Sequence, residues 1–386
     1  MRGAGRILRL IREGEATTRA EIAEVTGLGR STVAQRLDAL AAPAFLVVTS
    51  DGSSTGGRPA TVLAFNGEAG VVLAADLGAT HSRVAVTNLR GDVLAESCHT
   101  IAIAEGPEVV LGWLEGTWEA LLAEAGRPAS DVRGVGVGVP GPVEFAAGRP
   151  VAPPIMPGWD DYPVGDRLSE RFSAPALVDN DVNVMARGEH GVAWREAEGL
   201  LFVKVGTGIG AGIVSGGRVL RGHHGAAGDM GHVHVAGHDD VVCACGNTGC
   251  LEAVAGGRAL ARRLRELGLE AESSADVVRH VRAGQPEAVQ LVRQAGRTLG
   301  EVLAACVNLL NPTVIVIGGD VAEAHEQLLA GVREVVYQRS LPLATRSLRI
   351  VRSQLGDRAG ILGAATAVIE HVLSPEAVDA VVAGGV

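Results

Sequence analysis

Three of the chain's five cysteines, Cys243, Cys245 and Cys250, fall within eight residues, with His232 and His234 a short loop upstream. Thiolate sulfur and imidazole nitrogen are donors that Zn2+ favours, and a closed set of three Cys and one His is a structural site with no position left for a catalytic water. Gly246 and Gly249 let the backbone curl tightly enough for three sulfurs to reach one ion. The competing readings are free thiols or a disulfide. Cys243 and Cys245 are too close for an easy mutual bridge, and nothing in the chain points to an oxidising compartment. His232 is the favoured fourth ligand, with His234 the alternative.

A second chemical group is Asp179-Asn180-Asp181-Val182-Asn183, between an apolar strand at residues 176–178 and a following helix. Asn180 and Asp181 can exchange hydrogen bonds with a polyol, and Asp181 could take a proton from an attacking hydroxyl. An Asn-Asp pair here reads equally well as a helix cap. A third group is glycine-rich. The strand at residues 71–76 ends in Asp76 and turns through Gly78 and Thr80, offering amides and a hydroxyl to phosphate with a carboxylate near a metal. The pattern recurs where the strand at 201–205 runs into Gly206-Thr207-Gly208-Ile209-Gly210-Ala211-Gly212. Residues 313–317 lead into Gly318-Gly319-Asp320 and a helix, a nucleoside shelf. Any one loop reads better as a tight turn; three in order suggest two related lobes facing one cleft.

These groups need scaffolds, and 386 residues suffice for two or three domains. A hydrophobic share of 47% with 20% charged residues is ordinary for a soluble protein. Positive charge is almost all arginine: Lys204 is the only lysine, which reads as genome bias rather than as a signal. A net charge of -10 argues against a chain that coats nucleic acid along its length. No apolar run approaches the roughly 18 residues of a membrane span, and no signal-peptide core opens the chain, so the expectation is a cytoplasmic protein without a membrane partner.

The first 66 residues differ in kind. Ile7, Leu8, Leu10 and Ile11 make an amphipathic helix, and Thr18 with Glu21 forms a capping box opening a second. Residues 26–29 form a turn, and a third helix follows with Val33, Leu37 and Leu40 inward and Arg30, Ser31, Thr32, Gln35 and Arg36 outward. Two strands, 45–49 and 61–65, would make a wing whose loop carries Arg58 towards a minor groove. Eight arginines against six acids leave a net of +2, so tight binding would take two copies on a palindromic operator. The alternative is a helical interaction module without DNA.

The order of motifs resembles the ROK family (repressors, open reading frames and sugar kinases), in particular its repressor branch with an N-terminal winged helix-turn-helix. The resemblance covers nearly the whole chain, and the Gly231-His232 and Cys243 to Glu252 signature is its most specific part. It implies an α/β, actin-like (ribonuclease H-like), two-lobed sugar-kinase fold behind a small DNA-binding head. The expected domains are 1–66, a small lobe at 67–182 with 364–386, and a large lobe at 183–363 carrying the zinc loop and a dimer interface. It further implies a sugar site at Asn180, Asp181, Asp229, His232 and Glu252, the zinc loop presenting the last two. Asp229 stands where the family usually has Glu, drawing the carboxylate back by about 1.5 Å. His81 stands where a lysine often follows, and Ile155 where kinases commonly have Asn.

The function expected is a sugar-responsive regulator, a repressor, whose effector sugar or sugar phosphate binds the cleft of a dimer or tetramer. The alternative is an ATP- and Mg2+-dependent hexose kinase with Asp181 as base; a scaffold with a protein trigger is the third reading.

Overall fold

The computed structural model describes residues 3–49, 62–324 and 326–384. The wing loop with Arg58 lies outside the described residues.

At the N-terminus, α1 (Ala4–Glu13), α2 (Arg19–Thr26) and α3 (Arg30–Ala41) pack through Ile7, Leu8, Ile11, Ile22, Val33, Leu37 and Leu40, all buried. The capping box is present: Thr18 Oγ1 accepts from the Glu21 amide, and Glu21 Oε2 accepts from the Thr17 and Thr18 amides at 2.8 and 3.0 Å. α2 stops at Gly27, whose φ of 69° is one that L side chains rarely adopt. Strands β1 (Leu46–Thr49) and β2 (Val62–Phe65) pair antiparallel, and Thr18 bridges to Val62, joining the wing to the start of α2.

Two five-stranded sheets follow on one plan. In the first, β3 (Val71–Leu77), β4 (His81–Asn88) and β5 (Val93–Thr100) run antiparallel; helix α4 (Pro107–Glu124) leads to β6 (Val132–Val139), parallel to β3. A short ribbon, β7 (Val143–Glu144) with β8 (Arg149–Pro150), and helix α5 (Val164–Phe172) precede β9 (Ala176–Asn180), parallel to β6. Helix α6 (Asp181–Ala193) then crosses to the second sheet. There β10 (Gly199–Val205), β11 (Ile209–Ser215) and β12 (Arg218–Val219) form the antiparallel part. Helices α7 (Leu251–Ala255), α8 (Gly257–Glu266), α9 (Ser274–Arg282) and α10 (Pro286–Leu310) intervene before β13 (Val314–Gly318). Helices α11 (Glu326–Arg339) and α12 (Pro342–Thr345) then lead to β14 (Arg349–Arg352). The orders β5-β4-β3-β6-β9 and β12-β11-β10-β13-β14 correspond strand for strand, so the repeat seen in the glycine loops is a repeat of the fold. Gly318-Gly319 is followed by a 3-10 turn, Asp320–Ala324, rather than directly by a helix.

Two helices tie the sheets together. α6 packs across α13 (Ala359–Val372) through glycines: a methyl at Gly363 would collide with the Val184 carbonyl, and one at Gly188 with the Ala359 carbonyl. α13 runs into α14 (Pro375–Gly384), and one apolar cluster extends from α1–α3 through Val368, Leu373 and Val378. The head therefore shares its core with the C-terminal helices. Among the described residues no single helix is long and apolar enough to cross a membrane.

Candidate functional site

Between the sheets lies a cavity of about 1060 Å3. Every cleft residue expected from the sequence lines it: Asp76, Gly78 and Thr80 from the first sheet; Asn180 and Asp181 from the start of α6; Gly206, Thr207, Gly208 and Gly210 after β10; Asp229, His232 and Glu252; Gly318 and Gly319 after β13. Strand ends and a helix N-terminus converge because each sheet turns its glycine loop towards the other. The carbonyl oxygens of Gly206 and Thr207 accept from the Gly257 and Arg258 amides, which fixes the loop on the start of α8.

Asn180 is the N-cap of α6, so the helix-cap reading holds for this residue. Its Oδ1 accepts from the Val182 and Asn183 amides at 2.9 and 3.3 Å, and its Nδ2 donates to the Gly141 carbonyl at 3.0 Å. One N–H of that amide is left for a ligand. Behind it, buried Asp179 accepts from Arg221 at 2.7 and 2.9 Å, and Arg221 stacks over Phe145 at 3.8 Å. Asp181 is 4% exposed; Oδ1 accepts from the Val182 amide and Oδ2 from Lys204 Nζ at 2.6 Å. The sole lysine, read from sequence as compositional bias, is therefore a cleft residue.

Asp76 faces the same group, with Oδ1 buried and without a hydrogen-bond partner. Burial pushes its carboxyl up from 3.8 to about 7; Lys204 and Arg83 draw it back and Asp181 adds to the rise. The folded state then holds a proton that the unfolded chain releases, so this group's contribution to stability falls as pH rises between roughly 4 and 7. Asp76→Asn is expected to remove that fall. Unfolding followed across the window should find the variant gaining on the wild type with rising pH, by up to about 4 kcal/mol; a gap independent of pH would refute the assignment.

On the far side of the cleft, His232, Cys243, Cys245 and Cys250 gather with their ligand atoms within 4.8 Å of one another. All the cysteines are free thiols. Cys245 and Cys250 sulfurs stand 3.7 Å apart, as do Cys243 Sγ and His232 Nδ1. A tetrahedron with metal–sulfur bonds of about 2.3 Å has edges of about 3.8 Å, so the donor set fits zinc. His234 instead faces Asp239 at 2.9 Å. The imidazole of His232 has two faces: Nδ1 towards the thiols and Nε2 3.9 Å from Asp229 Oδ1 in the cleft. Glu252 also bridges, accepting from Cys243 Sγ at 3.5 Å while lying against Gly208.

On the head, Arg30, Ser31 and Gln35 of α3 are exposed, whereas Thr32 and Arg36 are half-buried, the Arg36 guanidinium lying against Gly3. Sequence reasoning missed Lys204 and Arg221. Lys204 had a signal, being the one lysine among arginines; Arg221 had none, since its partner Asp179 is 42 residues away.

A helix-turn-helix with a wing, fused to two like α/β lobes around a polar cleft, defines a DNA-binding protein built on a sugar-kinase-like fold. The ROK family matches residues 72–371, a winged helix-turn-helix DNA-binding family matches residues 5–42, and the chain belongs to the ROK family. It is similar to a putative xylose repressor of Caldicellulosiruptor sp. (strain Rt8B.4), 34% identical over 95% of both chains. It is 31% identical to a glucokinase of Halalkalibacterium halodurans, over 75% of this chain and 92% of that one. The crystal structure of a ROK family transcriptional regulator, a homolog of the E. coli MLC protein, superposes with a TM-score of 0.83 at 26% identity, covering 99% of this chain and 98% of that one.

Proposed function

We propose that this chain is a sugar-responsive DNA-binding transcriptional regulator, a repressor, with its effector bound in the interlobe cleft. The observation that carries the reading is the joining of a DNA-binding head to the cleft on one chain, matched end to end by a putative xylose repressor. The glucokinase relative matches 75% of this chain, against 95% for the putative xylose repressor. The effector is a sugar or sugar phosphate, and xylose is the first to test.

In the cleft Asp181 would accept a sugar hydroxyl, the free N–H of Asn180 would donate to another, and Asp229, His232 Nε2 and Glu252 would complete the ring of partners. Zn2+ held by His232, Cys243, Cys245 and Cys250 would stand behind His232 and Glu252 and fix their orientation. Arg30, Ser31 and Gln35 would meet base edges, with Arg58 on the wing. The phosphate-loop residues line the same cavity, yet the regulator reading needs neither ATP nor Mg2+. The domain limits proposed are 1–66, 67–182 with 364–386, and 183–363. A dimer would place two heads on a palindromic operator, and sugar closure would change their spacing, with a coupling on the order of 1–3 kcal/mol.

The test is fluorescence anisotropy of full-length protein on DNA from upstream of its own gene and neighbouring sugar-transport genes, with and without xylose and glucose. Specific binding weakened by one sugar is expected. Absence of specific binding to any such DNA, with and without sugar, would sink the reading.

A further inference from the structure

The one lysine in the chain lies in a cleft lined by acids. Lys204 lies near the end of β10, two residues before the Gly206 loop, and donates to Asp181 Oδ2 at 2.6 Å. Asp76 on β3 and Asp320 after β13 line the same cavity as Lys204 and Asp181, so three carboxylates from three elements share the cleft with the one lysine. One of those carboxylates, Asp76, is over nine-tenths buried and has an oxygen with no partner. Without the ammonium, one cleft would hold three acids and no lysine, a candidate cation site by charge and by donor type.

We propose that Lys204 is the resident cation of the cleft: its ammonium takes the place where phosphoryl transfer would require a divalent metal, and so reserves the cleft for a sugar without Mg2+-nucleotide. Two features of phosphoryl transfer are blocked at once. The metal must neutralise phosphate charge beside the loops, whereas an ammonium is monovalent and supplies no coordination sites to phosphate. The base must also take the proton of the sugar hydroxyl; Asp181 can accept a hydrogen bond from that hydroxyl, but taking its proton would break the ion pair that Oδ2 makes with Lys204. Sugar bound here is then a ligand and not a substrate. This proposal rests on the sugar-regulator reading for its meaning, but the measurement below uses neither sugar nor DNA, so the two can fail separately.

The test is titration of full-length, zinc-loaded protein with Mn2+, followed by calorimetry and by the EPR signal of the free ion. Wild type is expected to take up no Mn2+ in an Asp76-dependent manner. Lys204→Ala should gain a site at least about tenfold tighter than any in wild type, and Asp76→Asn in that background should abolish it. If Lys204→Ala does not fold, Lys204→Gln takes its place. Asp76-dependent Mn2+ uptake by wild type would overturn the proposal, and so would a folded Lys204 variant that gains no site.

Discussion

Cys245→Ser protein is expected to purify without stoichiometric zinc and to hold operator DNA with an affinity that no sugar changes. Cys245 is exposed, so the substitution opens no cavity and its effect isolates the metal ligand. What the metal would hold is visible in the contacts around it. Cys243 Sγ reaches both His232 Nδ1 and Glu252 Oε1, and the loop is otherwise closed by two isolated bridges, His234 to Cys250 and Val242 to Thr248. Losing the ion frees the His232 ring and the Glu252 carboxylate, and supporting groups of this kind are commonly worth 10- to 100-fold in affinity. Sugar binding should weaken by about that factor. The core of the second lobe, built from Leu201, Val203, Ile315, Ile317 and the helices over them, includes none of the three zinc-loop cysteines, so the variant should stay folded. Zinc content, sugar calorimetry and DNA anisotropy on one preparation decide the matter: a normal sugar response from zinc-free protein would break the link.

How much of this was legible in the sequence depends on how far each signal reaches along the chain. The capping box at Thr18 and Glu21, the glycine loops after β3 and β10, and the cysteine cluster are each contained within about a dozen residues, and each stands in the structure where its spacing placed it. Choosing between His232 and His234 required the fold, because the two differ only in which way the chain turns after Met230. Asn180 carried two readings since capping and sugar contact ask for the same side chain; the α6 amides take its Oδ1. Lys204 was visible but misread, because abundance was taken as the cause of a count that position explains. The shared core of head and C-terminus was not legible at all. Ala4 and Val378 join one cluster, and no local pattern reports a contact across nearly the full chain.

That long-range contact leads to the second large effect: Asp379→Ala is expected to leave sugar affinity intact while erasing most of the sugar's influence on DNA binding. α1 has no side-chain cap of its own and no acid in its first turn. Asp379 on α14 supplies both, accepting from the Gly3 amide at 2.6 Å and the Gly5 amide at 2.9 Å. Gly5 lies so close to Pro375 that any side chain there would meet its backbone. From α14 the path continues into α13, whose Gly360 abuts Asp76 in the cleft and whose Gly363 abuts α6. The head is therefore fastened to α14, which continues into the helix whose Gly360 backs Asp76 of the cleft. Hydrogen bonds to a charged group contribute about 1.5–3 kcal/mol each, while a typical coupling between two sites is about 1–3 kcal/mol. Releasing the clamp thus removes an amount comparable to the whole signal. Calorimetry with sugar should match wild type, and the ratio of operator affinities without and with sugar should fall towards one. Asp379→Asn, which keeps an acceptor but not the charge, should fall between. If the alanine variant kept the wild-type ratio, signal would have to reach the head by another route than α13 and α14.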